Sequence, residues 1–344
     1  MTTKILFASN KLGVITNEQL QQMLNQHNLG KLISSKKTDN GAMGQTMFVH
    51  SSKGEFVLKG NPLFPGQFEE EHFFVNNISG ISDVPVPTPY FIGATNSYFS
   101  WSYAIMPRLK GKHLNDIEVA DKLMSEDKIQ IAESMANTLL QLHSWKVDVC
   151  GEFNPNTKNL SEFKEGFTIW LFNRIRYWVE DAKKYSKITL GDVNWVENVL
   201  QESLDAFDQF DTPTFVMGDF KPGNFLILYE GHEWKISGVF DFTNAYFGDP
   251  LADLIKMLTM YIDHNELDVA KHFFKIYMTR TDEKEQIIQR LKVHMLMQRT
   301  LDWGCAKAIG AVTWDEDMSF SVWVEHYLKT MEELIREIEQ WELI

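Results

Sequence analysis

The segment FVMGDFKPGNFLILYEGHEWKISGVFDF, residues 215–242, constrains the fold of this chain most strongly. Asp219 and Asn224 flank a Lys-Pro-Gly sequence that is typical of a turn, and two apolar runs follow, FLILY and WKISGVF. The glycine-containing loop Glu230–Glu233 separates these runs, so the pattern predicts a β-hairpin. A hairpin returns the chain to its starting point. We therefore expect Asn224, which enters the first strand, to lie near Asp241, which leaves the second, with Asp219 beside them.

These three side chains suit a hard divalent cation with a base next to it. Mg²⁺ prefers oxygen ligands and keeps several waters, so one carboxylate, one amide oxygen and substrate phosphates are enough to bind it. A carboxylate that the metal does not use can accept a proton from an attacking hydroxyl. Asp219 and Asn224 are also common turn formers, and Asp241 could simply begin a loop. The presence of all three residues in one predicted hairpin favours a functional site over these purely structural roles.

Composition and charge disfavour several classes of function. A chain of 344 residues with 44% hydrophobic residues can form one bilobal unit or two domains. Its net charge of 33 − 47 = −14 argues against nucleic acid or an anionic membrane as the main partner and is compatible with a cationic ligand. Cys150 and Cys305 lack metal-type spacing and predict neither a disulfide framework nor a zinc site. The N-terminal apolar run is too short for a signal peptide, and no run of about eighteen apolar residues follows. These features predict a cytoplasmic protein and leave its oligomeric state open.

A β-rich part precedes a larger, mostly helical part. Thr16 and Gln19 predict a capping box at the start of a first helix, and Gly30 predicts its stop. TMFVH and EFVLK predict a hairpin, FEEEHFFVNNI a second helix and YFSWSYAIMP another strand. From about Asn115 onward helical periodicity dominates, interrupted mainly by residues 215–242. We expect an α+β protein with an N-terminal unit of residues 1–106 and a C-terminal unit of residues 107–344.

The hairpin segment resembles the catalytic region of the aminoglycoside phosphotransferase and choline kinase family, which is related to the protein kinases. The family pattern is roughly His-Gly-Asp-x-x-x-x-Asn, a strand pair, Ile-Asp and then Gly-Asp-Pro. The matching positions in this chain are Gly218-Asp219, Asn224, Phe240-Asp241 and Gly248-Asp249-Pro250. Met217 stands where the family has histidine, whose role is mainly to support the loop. The resemblance implies a two-lobed, protein-kinase-like fold with the nucleotide in the cleft.

The resemblance also implies a role for each matching residue. Asp219 would be the base that orients the acceptor hydroxyl, and Asn224 and Asp241 would hold Mg²⁺. Lys221 would lie near the transferred phosphate. His143, in the helix-end sequence LLQLHSW, would be structural. The implied phosphate donor is ATP, with GTP as an alternative.

The N-terminal part matches the nucleotide site of the family. Lys59, at the end of EFVLK, would pair with the phosphates. Val57 lies on the same strand face by alternation and would cover the adenine. Glu71 is followed by apolar residues at i+4 and i+7, as in the family helix, and is the predicted partner of the lysine. Glu69 and Glu70 are the alternatives.

Two further segments resemble nucleotide-binding elements. YAIMPRLKG is similar to the hinge: aligned on Met106, the carbonyl of Pro107 would accept a hydrogen bond from adenine, and the amide of Leu109 would donate one. Proline lacks an N–H but keeps its carbonyl, so it fits the accepting position. Gly41 and Gly44, in DNGAMGQ, would allow close backbone approach in a phosphate-covering loop, and a plain hairpin loop is the alternative.

The resemblance implies an ATP-dependent phosphotransferase that moves the γ-phosphate to a hydroxyl of a small molecule. A protein kinase is disfavoured because GDPLADLIKML follows Asp241 almost at once. Asp249 as N-cap and Pro250 at the first helical position start a helix there and leave no peptide-docking segment. A non-catalytic binding protein is disfavoured because the lysine, the base and the metal residues are all present.

The C-terminal helices carry tryptophans and acids that would suit a cationic, aminoglycoside-type acceptor, and hence antibiotic resistance. These residues are Trp170, Trp178, Trp303, Trp314, Trp323, Asp302, Asp315, Glu316 and Asp317. The alternative is that the tryptophans are core residues and the acids are solvated. A metabolic acceptor of the choline, homoserine, methylthioribose or fructosamine type stays open.

Overall fold

The computed structural model of this chain describes residues 14–38, 45–60, 62, 64–207, 210, 212–281 and 286–342. The predicted phosphate-covering residues Gly41 and Gly44 lie outside the described residues. Strands dominate the first hundred described residues and helices the rest, so the predicted α+β class is confirmed.

The described strands form three antiparallel sheets. The N-terminal sheet has the order β1-β2-β3-β5-β4, with β1 Leu32–Lys37, β2 Gln45–Ser51, β3 Gly54–Gly60, β4 Phe91–Gly93 and β5 Tyr103–Pro107. A second sheet has the order β11-β10-β6, with β6 Lys112–His113, β10 Phe225–Glu230 and β11 Glu233–Val239. A third has the order β8-β7-β12-β9, with β7 Gly151–Asn154, β8 Asn159–Glu162, β9 Thr214–Val216 and β12 Tyr246–Gly248.

The described helices lie mostly in the C-terminal part. They are α1 Asn17–Gln26, α2 Gln67–Ile81, α3 Ile117–Ala120, α4 Ser125–Leu142, α5 Phe167–Ala182, α6 Leu190–Glu202, α7 Ile255–Asp263, α8 Leu267–Arg280, α9 Ile287–Ile309 and α10 Phe320–Glu342. Short 3₁₀ turns occupy Leu204–Phe207, Pro222–Asn224 and Pro250–Leu254. Among the described residues, no helix is long and apolar enough to span a bilayer.

The predicted N-terminal hairpin forms between β2 and β3, which turn at Ser51–Gly54. Phe56 and Leu58 are buried, whereas Val57 and Lys59 share the opposite, half-buried face of β3, as strand alternation requires. The strand predicted over YFSWSYAIMP is shorter than expected, because β5 begins only at Tyr103. Asn96 ends the preceding segment by accepting hydrogen bonds from the backbone amides of residues 98 and 99, which fixes a turn there.

Helix α1 has the predicted capping box of Thr16 and Gln19. It ends at Gln26 rather than at Gly30, because Asn28 already takes a positive φ of 55° and turns the chain away.

Helix α2 joins the two parts of the molecule. Phe74, Val75 and Ile78 belong to the core that continues into the C-terminal helices. Phe73, on the same helix, stacks on Phe153 of β7 with ring centroids 4.6 Å apart. This packing holds α2, and with it Glu71, in a fixed place relative to the C-terminal part.

The predicted C-terminal hairpin is present as β10 and β11. Its loop is tighter than expected: Glu230 and Glu233 pair as strand residues, and only Gly231 and His232 turn, with φ of 64° and 69°. The expectation that helices dominate after residue 115 missed the β8-β7-β12-β9 sheet. Its strands are three or four residues long, too short for alternation to show in the sequence.

Candidate active site

The hairpin brings the three predicted residues into one region after β9. Asn224 donates from Nδ2 to Asp219 Oδ2 at 2.9 Å and to the Asp219 carbonyl at 2.8 Å. Both residues are 6% exposed. The amide of Phe240 donates to the Asn224 carbonyl at 3.1 Å, which places the next residue, Asp241, beside the loop. Asp241 has a φ of 71°, a left-handed conformation that aspartate tolerates better than most residues.

Two lysines contact the Asp219 carboxylate. Lys221 Nζ lies 2.8 Å from Oδ2, and Lys256 Nζ, from the first turn of α7, contacts Oδ1. Burial alone would raise the pKa of Asp219. The positive charges of Lys256 and Lys221 outweigh it and hold the pKa below its ordinary value, so this carboxyl is ionised at neutral pH.

An ion pair forms on the N-terminal side of the site. Lys59 Nζ lies 2.9 Å from both oxygens of Glu71 and 3.6 Å from Asp241 Oδ1. Tyr90 donates its hydroxyl to Glu71 Oε2 at 2.7 Å. Burial opposes the charge of Lys59, but Asp241 and Glu71 more than compensate and raise the pKa of the ammonium. A charged lysine therefore stands between the α2 carboxylate and the end of the hairpin.

Glu71, rather than Glu69 or Glu70, is the acid paired with Lys59. Burial first, and then the carboxylates of Glu152 and Glu71, raise the pKa of Glu70 to about 8. Glu70 thus lies among acids and away from the lysine.

The residues present fit a magnesium ion. Both hydrogen bonds of the Asn224 amide nitrogen go to Asp219, so the amide oxygen is presented away from that carboxylate. The Asp241 side chain is 39% exposed and can reach a ligand. Among the described residues, no three His, Cys, Asp or Glu side chains form a metal-binding group. One amide oxygen and one carboxylate suit a magnesium ion whose remaining ligands are phosphates and waters.

The predicted hinge borders β3. Met106 is paired in register with Val57, and Met106 is buried while Val57 is half-buried. Pro107 is the last residue of β5, and Leu109 follows, half-buried, in an irregular segment. β3 thus lies between the hinge strand and β2, and carries both Val57 and Lys59 on one face.

A buried carboxylate fixes the start of the loop that carries Asp219. Asp253 accepts hydrogen bonds from the amide of Met217 at 2.7 Å and from the amide of Gly218 at 2.8 Å. His143 Nε2 lies 3.1 Å from the same carboxylate, and its Nδ1 lies 2.8 Å from the Tyr277 hydroxyl oxygen. Because the clamp binds main-chain amides, it does not require the histidine that Met217 replaces.

The backbone at position 218 requires glycine. Its φ is 72°, and a Cβ there would lie 2.3 Å from the carbonyl oxygen of Asn244. Only glycine allows the loop to pass so close to that backbone.

Asp249 joins the segment after β12 to α9. It caps the 3₁₀ turn Pro250–Leu254, as predicted, by accepting from the Leu251 amide. Arg290 and His294 of α9 both contact its carboxylate, Arg290 at 2.6 and 2.9 Å and His294 at 2.8 Å. Burial alone would raise the pKa of Asp249, but the interactions with Arg290 and His294 outweigh that effect and hold the pKa well below its ordinary value.

The predicted aromatic and acidic residues of the acceptor region have different positions. Trp303 and Trp323 are 2% and 4% exposed and pack with Trp314 in one cluster between α9 and α10. Trp170 is half-buried and stacks on Phe163. The remaining residues are Trp178 and Asp302, which are partly buried, and Asp315, Glu316 and Asp317, which are exposed. Trp303 and Trp323 are therefore core residues, the alternative that the sequence left open.

Sequence reasoning missed three residues of this arrangement. Tyr90 follows a proline-rich segment, and Asp253 sits in an apolar stretch, where a buried acid indicates a buried partner. Lys256 is a charged residue among apolar neighbours in LIKML, but no spacing rule connects it with Asp219.

Comparison with known proteins decides the family. The sequence model of the phosphotransferase enzyme family matches residues 36–282. The chain belongs to the phosphotransferase enzyme family. Among curated proteins, this phosphotransferase is similar to acyl-CoA dehydrogenase family member 11 of Rattus norvegicus, with 22% identity over 252 residues. The match covers 70% of this chain and 31% of that relative, so it spans about a third of the relative's length.

Solved structures confirm the two-lobed, kinase-like fold of the phosphotransferase. One is a thermostable mutant of aminoglycoside phosphotransferase APH(4)-Ia in a ternary complex with ADP and hygromycin B. Its TM-score is 0.61 at 15% identity, over 92% of this chain and 98% of that one. Another is the GDP complex of aminoglycoside 2'-phosphotransferase-IIIa, with a TM-score of 0.62 at 14% identity over 93% and 98%.

Proposed function

We propose that this phosphotransferase transfers the γ-phosphate of ATP, with Mg²⁺, to a hydroxyl of a small molecule. The observation that carries the proposal is the Asp219 site: an ionised buried carboxylate hydrogen-bonded to Asn224 and contacted by two lysines. The relatives with ADP and with GDP support a nucleoside diphosphate as product. GTP is the alternative donor.

In the proposed reaction, the acceptor oxygen bonds to the γ-phosphorus while the bond from phosphorus to the bridging oxygen of the β-phosphate breaks. The products are a phosphate ester and ADP. The hydroxyl proton passes to Asp219, which is kept ionised for that purpose by its lysine neighbours. Lys59, held by Glu71, neutralises phosphate charge, and Lys221 stabilises the transferred group. Bound Mg²⁺, held by Asn224 and Asp241, would supply further positive charge there.

We assign the nucleotide-covering lobe to residues 1–106 and the catalytic and acceptor-binding lobe to residues 107–344. Val57 would cover the adenine, and the Pro107 carbonyl and Leu109 amide, after Met106, would pair with it. In this assignment α2, packed on β7, holds Glu71 in its pairing position without any rearrangement.

Two classes of acceptor are compatible with this proposal. An aminoglycoside-type acceptor is supported by the hygromycin B complex of a structurally similar enzyme. A metabolic acceptor is favoured by one specific observation, the Lys256 ammonium on the Asp219 carboxylate, because a cation there disfavours amino groups next to the reacting hydroxyl.

The proposal is tested by ADP formation from Mg·ATP across a panel of hydroxylated metabolites and antibiotics. Asp219→Asn is nearly isosteric and keeps Asn224 and Asp241, so Mg·ATP binding should persist. Turnover should fall by about 10³-fold or more, since the proton acceptor and its positioning of the hydroxyl are both lost. A variant that turns over within about tenfold of the parent would show that Asp219 is not the base.

A further inference from the structure

We propose that Lys256 is an acceptor-binding residue, and that it selects acceptors with an anionic group, such as a carboxylate, next to the reacting hydroxyl. The inference rests on the proposed function and adds the chemical class of the acceptor.

Lys256 projects from a rigid frame. Its neighbours Ile255, Met257 and Leu258 in α7 are each 0–1% exposed, so the helix cannot shift without disturbing the core. Asp253, three residues earlier, clamps the loop that carries Asp219. The base and the lysine are therefore fixed relative to each other through one short segment.

The two oxygens of Asp219 have different surroundings. Oδ2 accepts from Asn224 and is paired with Lys221, whereas Lys256 is the one partner of Oδ1 among the described residues. A carboxylate oxygen can accept two hydrogen bonds. Oδ1 can therefore accept the acceptor hydroxyl while it stays in contact with Lys256, so the bound hydroxyl and the ammonium share one oxygen.

Lys256 also acts on the helices of the C-terminal part. Burial, with the charges of Asp302 and Asp181, raises the pKa of the Cys305 thiol to about 11, and Lys256 opposes that rise. Cys305 and Asp302 belong to α9, which packs on α5 at Gly304 and Ala182. The Lys256 ammonium therefore lies close enough to α9 for its charge to act on Cys305.

The ammonium has unused donors at this place. An ammonium carries three N–H groups, and within the described part of the chain Asp219 is its one recorded partner. The side chain is 19% exposed, so a bound acceptor can reach the other two. A carboxylate on the acceptor would satisfy them, and it would then lie about 4–6 Å from the hydroxyl on Oδ1. An ammonium on the acceptor at the same distance would be repelled.

The test compares acceptors that differ by one carboxylate: glycerate with glycerol, and serine with ethanolamine, with hygromycin B as a polycation. Parent, Lys256→Met, Lys256→Arg and the control Lys292→Met are compared by ADP formation. Lys292 is a paired, 28% exposed lysine of α9 that contacts Glu332 and not the site. We expect the parent to prefer the carboxylate member of a pair by at least about tenfold in kcat/KM. Lys256→Met should abolish that preference mainly through KM, and Lys256→Arg should restore part of it.

A second measurement does not need turnover. With Mg·AMP-PNP present, glycerate should slow the acylation of Lys256 by an amine-reactive reagent, followed by mass spectrometry, while glycerol should not; neither compound carries an amine that would consume the reagent. Equal protection by both, equal loss of kcat/KM for both members of a pair in Lys256→Met, or preferred transfer to hygromycin B would each overturn the inference. Absence of an Mg·ATP-induced rise in Tm would instead contradict the proposed function, so the two failures are distinguishable.

Discussion

Replacing Asp253 by asparagine should loosen the loop that carries Asp219. The loss in the free energy of unfolding can be worked out from the hydrogen bonds of the Asp253 carboxylate. Oδ2 accepts from the Met217 amide and from His143, and Oδ1 accepts from the Gly218 amide. Asparagine keeps one accepting oxygen and turns an NH₂ group toward a buried donor, so at least one donor loses its partner. A hydrogen bond to a charged group contributes about 1.5–3 kcal/mol, and a buried donor without a partner costs about 1–3 kcal/mol. We expect the free energy of unfolding to fall by about 2–4 kcal/mol.

The larger effect should be on turnover. Asp219 follows the two clamped amides directly, so a loop that relaxes there displaces the base. A displacement of about 1 Å can cost about 100-fold in rate, and we expect a loss of that size in kcat. Lys59 and the hinge are not contacted by Asp253, so the affinity for Mg·ATP should stay within about threefold of the parent.

The control is Asp249→Asn, in the same segment. Asp249 is fully buried and bonded to Arg290 and His294 of α9, and among the described residues none of its hydrogen bonds reaches the loop that carries Asp219. Removing one partner of a buried ion pair costs about 3–5 kcal/mol, so this variant should be at least as destabilised. Below its melting temperature it should nevertheless keep kcat within about threefold of the parent. Urea unfolding and steady-state ADP formation measure both quantities. If Asp253→Asn keeps its kcat, or if Asp249→Asn loses as much, the clamp does not position Asp219.

Two further predictions concern the metal and pH. Mg·ATP at about a hundredfold excess over its Kd should stabilise the parent by about 2.7 kcal/mol. Asp241→Ala should remove most of the magnesium-dependent part, and equal Tm shifts with and without magnesium in both proteins would contradict the metal assignment. The lowered pKa of Asp249 contributes stability to the folded state that is fully present above the unfolded pKa of about 3.9 and is lost progressively as pH falls from there toward the much lower folded pKa. The difference in urea stability between the parent and Asp249→Asn should therefore begin to shrink below about pH 5 and continue to shrink as the pH is lowered further, and a difference that stays constant would refute the attribution.

The sequence was most informative where strands determine the geometry. The hairpin of β10 and β11 was predictable because two apolar runs flank a glycine turn, and its closure then places Asn224 near Asp241. The common face of Val57 and Lys59 follows from the two-residue period of β3. Glu71 followed from helix periodicity in α2. In each case the repeat of a strand or helix determines which side chains lie on the same face.

The elements that were missed depend on long-range packing. The β8-β7-β12-β9 sheet combines strands too short to carry a pattern. Asp253 and Met217 are separated by 36 positions and Lys256 and Asp219 by 37, and nothing local in either stretch indicates the contact. Trp303 and Trp323 had two interpretations, core or ligand wall, and only the packing of α9 on α10 decides for the core.

This difference explains why the proposed nucleotide side of the site can be predicted from the sequence more fully than the proposed acceptor side. Lys59, Val57 and Met106 are fixed by strand register, which many sequences can satisfy, and structures only 14–15% identical share the same fold. The proposed acceptor side includes α7, which carries Lys256, and the exposed faces of such helices can carry different charges without changing that packing. Lys256 is such a case: its flanking residues are core, while its ammonium lies on the base. A different residue at position 256 could change which acceptor binds without altering how the phosphates are held. The charge of this α7 residue is therefore a better guide to the acceptor class than the fold, which proteins with different acceptors can share.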